Sequence, residues 1–169
     1  MEEELRPSEA RARTIIATIP DPYFETDMKG RLTYINHAFQ SLFGYTLEEL
    51  SALDYRTYLD QRTAEDVYSL YNTVYTTGMT LKNAELQIAT RRGEKRAVNL
   101  SVSLIVDPQG KATGFHGILR DVTEKKAAEA LIVESEKMLR EYSEGLEQRV
   151  SSEEHTSELQ SPHTISYAV

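Results

Sequence analysis

Asp27-Met-Lys-Gly30-Arg-Leu-Thr-Tyr34-Ile35-Asn36-His37-Ala-Phe39-Gln-Ser-Leu42-Phe43-Gly44-Tyr45-Thr46 packs a turn, a strand, a helix and a helix stop into twenty residues. Gly30 supplies the positive φ that a tight hairpin turn requires, between strand-like runs at Tyr23–Asp27 and Leu32–Asn36. Phe39, Leu42 and Phe43 share one face of a short helix from His37 to Phe43, which Gly44 ends as its C-cap. Thr46-Leu47-Glu48-Glu49 is a capping box that opens a second short helix.

Moving outward, Thr63 and Asp66 mark the start of a longer helix that Gly78 stops. Its apolar residues Val67, Leu70, Tyr71, Val74 and Tyr75 recur at threes and fours, so core packing is the expected role of Tyr71 and Tyr75. Leu86 and Ile88 alternate with polar residues before a turn at Arg91-Arg92-Gly93-Glu94. Val98, Leu100, Val102, Leu104 and Val106 then occupy every second position, the pattern of a half-buried antiparallel strand. Asp107-Pro108-Gln109-Gly110 is a turn by composition, and Phe115–Val122 reads as the last strand. Two strands, several helices and three strands define an α+β domain with helices on one face of an antiparallel sheet. Residues 1–13 form a charged lead-in, a brief helix with Pro7 in its first turn.

The 169 residues carry 27 acids against 19 bases, for a formal charge of −8. That balance argues against a nucleic-acid-binding face, which needs clustered Lys and Arg. The absence of cysteine removes disulfides, thiolate zinc sites, iron–sulfur clusters and cysteine nucleophiles. No apolar run reaches the roughly 18 residues of a membrane span, and the acidic start is unlike a signal or transit peptide. The expectation is a cytoplasmic protein. No Gly-rich phosphate loop, paired-histidine metal motif or nucleophile–base pair occurs, so this fragment is not expected to be an enzyme and has no catalytic or metal residues. His155-Thr-Ser-Glu158 is only faintly similar to a kinase phospho-acceptor box, whose acid directly follows the histidine.

The decisive segment, with Glu49-Leu50 after it, resembles a PAS domain of the sensory S-box type. Gly93, the alternating strand, Gly110, Gly114-Phe115 and Asp121-Val122-Thr123 resemble the C-terminal (PAC) half of that fold, about residues 80–123. The resemblance covers Thr14–Thr123 and implies a five-stranded antiparallel sheet cradling a small-molecule pocket. It also implies a relay through the following helix, and a dimer. The family usually has Asp-Gly where this chain has Arg92-Gly93. Arg is poorer in the left-handed region, so a less tightly specified hairpin is expected there.

The chemistry of the family's cofactors then meets this chain's composition. A flavin–cysteinyl adduct, like coumaroyl attachment, needs a cysteine, and haem-binding members use a histidine on the long helix. Thr63–Thr77 contains no histidine, and His37 and His116 read as ordinary polar residues. Covalent flavin and haem are therefore disfavoured, and the ligand is unknown: a non-covalent flavin, a small organic acid, or none. Asn36 and Tyr58 are the candidate pocket residues, as an amide and a phenol able to hydrogen-bond within an apolar wall. Asp121 and Thr123 are the candidate signal-transmission residues, where an N-cap also sets the exit angle of the helix.

From Glu124 to Val150, Ala128, Leu131, Ile132, Met138, Leu139, Tyr142, Leu146 and Val150 fall at spacings compatible with a two-stranded coiled coil, although Ser135 weakens the seam. Residues 124–150 are thus a linker helix expected to join two copies. Residues 151–169 differ in kind. Ser152–Ser161 resembles one frame of a translated sequencing adapter, and after a barcode-length gap Ile165–Val169 resembles the adapter's far end. That tail is expected to be non-native, loose and dispensable. Without its Glu153, Glu154 and Glu158 the acid excess falls from eight to five. The natural protein is then expected to continue past Val150 into an output module, and whether Met1 is the true start is open. The expected function is a sensory module of a histidine kinase, a diguanylate cyclase or a transcription regulator. The alternative is a ligand-free PAS domain serving interaction and dimerisation.

Overall fold

The structure, a computed structural model, describes residues 2–160, with side chains from Pro7 to Arg149. It divides into two units, the first ending at Glu124 and the second beginning at Lys125, and each is described by itself.

The first unit opens with α1 (Glu2–Thr18), followed by the hairpin β1 (Tyr23–Asp27) and β2 (Leu32–Ile35). Four helices follow: α2 (His37–Phe43), α3 (Leu47–Ser51), α4 (Tyr55–Tyr58) and α5 (Gln61–Thr77). Strands β3 (Leu81–Ala89), β4 (Lys95–Val106) and β5 (Ala112–Asp121) complete one antiparallel sheet in the order β2-β1-β5-β4-β3. The last strand therefore lies at the centre, paired on one side with β1 (Phe24 opposite Gly117) and on the other with β4 (Leu100 opposite Leu119). This is the expected five-stranded α+β architecture.

Local chemistry accounts for most boundaries. The Thr46–Glu49 capping box forms, and Gly44 and Gly78 end α2 and α5 in the left-handed conformation, at φ 78° and 66°. The N-terminus of α5 lies earlier than the sequence suggested. Asp60 is the cap, accepting from the Thr63 amide at 2.9 Å, because its Oδ2 also accepts from the Thr63 hydroxyl at 2.7 Å. That hydroxyl reaches on to the Gln87 carbonyl at 3.0 Å and ties α5 to β3. Helix α1 extends five residues past the predicted lead-in, and Pro7 sits in its second turn rather than its first.

The core is a contiguous cluster in which the Phe24, Phe39 and Phe43 rings pack at centroid distances of 5.9 and 4.3 Å. Val67 and Val74 bring α5 onto it. Tyr75 does not join them: it lies at the edge of the stripe and is 54% exposed. Leu86, Ile88, Val98, Leu100 and Val102 are buried as alternation predicted, whereas Val106, at the strand end, is exposed. The Arg92-Gly93 hairpin carries no strain at Arg92, since Gly93 alone takes the positive φ there. An unforeseen irregularity lies in edge strand β3, where Asn83 adopts φ 56° and the register with β4 shifts.

The second unit continues α6 (Thr123–Gln160). The helical backbone thus runs ten residues beyond the predicted linker boundary at Val150. Of the adapter-like tail, the side chains and everything from Ser161 on lie outside the described residues. Leu131, Ile132, Met138, Leu139 and Tyr142 are all exposed.

Candidate functional site

The space between the sheet and helices α2, α4 and α5 holds a cavity of about 70 Å³. Its walls are the core side chains themselves, chiefly Phe24, Phe39, Tyr55, Tyr58, Tyr71 and Leu100. Thr26, on the same face of β1 as Phe24, also borders it. The Thr26 hydroxyl is buried and has no hydrogen-bond partner. A buried hydroxyl without a partner is costly, so this oxygen, together with the phenols of the lining tyrosines, is a polar group in an otherwise apolar chamber that a guest could satisfy.

The two candidate pocket residues fall in different places. Tyr58 lines the cavity, and burial, reinforced by the Asp54 carboxylate and by Tyr55, pushes its phenol well above the ordinary range. It therefore stays neutral, able to donate as well as accept. Tyr71 is raised the same way, mainly by burial, and packs against Phe115 in a tilted arrangement with ring centres 4.7 Å apart. Asn36 is not among the lining residues. Its Oδ1 accepts from the amides of Phe39 (3.0 Å) and Tyr23 (2.9 Å), and its Nδ2 donates to the carbonyls of Ile16 and Asp21, both at 3.0 Å. All four hydrogen bonds of the amide are spent on backbone, joining α1, β1 and α2. Neither its N-cap role nor its bonds to the two upstream carbonyls is part of the sequence reading.

The histidines sit away from the chamber. His37 is exposed on α2 near Ser41, and His116 alternates with the core-facing Phe115 and Gly117, placing it on the other face of β5 beside Tyr23. Neither borders the cavity.

At the end of β5 the two transmission candidates do meet. Asp121 Oδ1 accepts from the Thr123 amide at 2.9 Å and from its hydroxyl at 2.6 Å. The same hydroxyl oxygen accepts from the Ala97 amide of β4 at 2.9 Å, and the Val122 amide donates to the Ala97 carbonyl, also at 2.9 Å. The strand–helix joint is thereby clamped to the start of β4. Arg96 lies alongside, 2.8 Å from Glu94 and 3.6 Å from Asp121. Its guanidinium is stabilised as a cation chiefly by the Glu94 hydrogen bond, with Asp121 and Glu124 adding charge. Ala97 was invisible to sequence reading because its contribution is entirely backbone.

A five-stranded antiparallel sheet with helices on one face around a small interior cavity is the architecture of the PAS fold. Residues 10–122 match the family described as PAS fold, and the chain belongs to that family. It is 27% identical over 130 residues to sporulation kinase C of Bacillus subtilis (strain 168), covering 75% of this chain and 29% of that one. This chain thus spans less than a third of the curated relative's length. Among solved structures, a domain of a sensory box sensor histidine kinase/response regulator from Geobacter sulfurreducens is 28% identical, with a TM-score of 0.57 over 69% of this chain and 96% of that one. A PAS domain from Colwellia psychrerythraea, 19% identical, superposes with a TM-score of 0.61 over 68% of this chain and 97% of that one. Among the described residues no helix is long and apolar enough to cross a membrane.

Proposed function

We propose that this chain is the input-and-relay segment of a bacterial signalling protein, most naturally a sensor histidine kinase given its kinase relatives. A diguanylate cyclase or a transcription regulator is equally compatible with the segment itself. The observation that carries the reading is the Asp121–Thr123–Ala97 clamp, which couples the central strand to a helix with exposed apolar residues at coiled-coil spacing. On this reading α6 pairs with its counterpart in a second copy, in the cytoplasm, and passes the signal to an output domain beyond Val150. Ser152–Val169 is non-native sequence that replaces the continuation.

The cysteine-free chain offers a clean test. Leu139→Cys should form a disulfide-linked dimer under mild oxidation, whereas Lys137→Cys, on the opposite face of the helix, should not. Equal crosslinking at both positions, or none at either, defeats the paired-helix reading.

A second reading, a ligand-free interaction module, is favoured by the interior cavity. At about 70 Å³ it is far below the roughly 300–1,000 Å³ of pockets for drug-sized ligands. It accommodates only a guest of a few atoms. A small ligand retained through purification would decide against this second reading.

A further inference from the structure

Outside the chamber, separated from it by Tyr55 and Tyr71, lies an open cleft of about 310 Å³ between the β1–β2 turn, the start of α4 and one flank of α5. We propose that this cleft is a second binding site, taking a small aromatic monocarboxylate. It goes beyond the relay reading and does not depend on it.

Three features carry the proposal. The first is charge. Lys29 and Arg56 both border the cleft, and neither has an ion-pair partner among the described residues. Asp54 faces the same space, its Oδ1 engaged by the Arg56 amide at 3.0 Å. Two cations and one carboxylate leave a single positive charge, which selects a monoanion over a dianion or an amine. The second feature is the geometry of Arg56. Its guanidinium carbon stands 5.3 Å from the centre of the Tyr55 ring. A cation–π contact of this kind uses no N–H donor as a hydrogen bond, so the guanidinium donors remain available for two parallel bonds to a carboxylate.

The third is the aromatic flank. Tyr68 and Tyr75 are seven residues apart and so project from the same side of α5, with Tyr71 between them nearer the core. They are 59% and 54% exposed, although their helix packs on the sheet through Val67 and Val74. Tyrosine rings combine apolar area with a polar rim, the wall suited to an aromatic body with a charged end. The size of the cleft reaches the lower end of the ligand-pocket range, which the inner chamber does not.

Benzoate titrated into the full chain, followed by amide and tyrosine NMR shifts, tests the assignment. Saturable shifts are expected at Gly30, Asn72 and Tyr75, with benzamide, the neutral isostere, weaker by about tenfold or more. Arg56→Gln should weaken benzoate by a similar factor, while Asp54→Asn, which preserves the helix cap, should tighten it. Thr26→Val, which removes the unpaired hydroxyl of the inner chamber, should leave the affinity unchanged. No saturation by about 10 mM benzoate would overturn the proposal. So would equal affinity for benzamide, an unaffected Arg56→Gln that retains the native spectrum, or loss of binding in Thr26→Val.

Discussion

Helix α5 places Val67, Leu70, Tyr71 and Val74 at threes and fours, and α6 places Leu131, Met138, Leu139 and Tyr142 at similar spacings. In α5 that stripe is covered by the sheet, and Val74 is 1% exposed. In α6 it is not, and Leu139 is 66% exposed. The difference teaches that helical period identifies a face and says nothing about what covers it. For α5 the partners lie in the same domain, on strands β3 and β4. For α6 the exposed stripe asks for a partner, which the proposed function supplies as a second copy.

The sharpest way to break this contrast is to put the same charge on both faces. Val74→Asp should destabilise the domain by about 4 kcal/mol, the scale of an unpaired charge in a core. Leu139→Asp should leave the midpoint of domain unfolding in urea where it was. If the two variants unfold alike, the stripes are not different in kind. Next in size, Asn36→Ala removes a helix cap and strands several buried backbone groups, at a cost of about 3 kcal/mol by chemical denaturation. A loss below about 1 kcal/mol would mean that water replaces the amide at this junction.

A smaller effect concerns association alone. Leu139→Asp should raise the dissociation constant of the dimer by about tenfold or more in sedimentation equilibrium. An unmutated chain that stays monomeric at high concentration removes the premise. Smallest is Thr26→Val. Because the hydroxyl has no partner, its replacement by an isosteric methyl should shift stability by less than about 1 kcal/mol, towards greater stability. A marked loss would show that the oxygen is satisfied in solution, as by a resident guest.

What was legible in the sequence follows the range of each interaction. Gly44, Gly78 and the Thr46–Glu49 box act within four residues, so pattern alone located them. The alternation of β4 identified its buried face correctly through Val98, Leu100 and Val102, and failed at Val106, where the strand runs past the core. Tyr75 was assigned to the core because a period does not give the width of the covered stripe. Among the site residues, Asn36 announced itself as polar but not as a cap bonded to Ile16 and Asp21, twenty and fifteen residues upstream. Thr26 gave no signal, since an orphaned hydroxyl is defined only by what surrounds it. Arg91, 2.9 Å from Glu49 across 42 residues, was equally hidden.

If the proposed relay holds, the clamp on Thr123 would let α6 act as a lever. From Thr123 to Val150 the helix reaches about 42 Å at roughly 1.5 Å per residue. Tilting such an arm by about 5° at its base sweeps the far end through nearly 4 Å, a displacement comparable to most of a helical turn. The fulcrum is a hydroxyl held between Asp121 and the backbone of Ala97. On the proposed relay reading, movements at the edge of β4 too small to disturb the core would arrive magnified at the distal end. Serine in place of Thr123 would keep the pivot, and valine would remove it while filling nearly the same space.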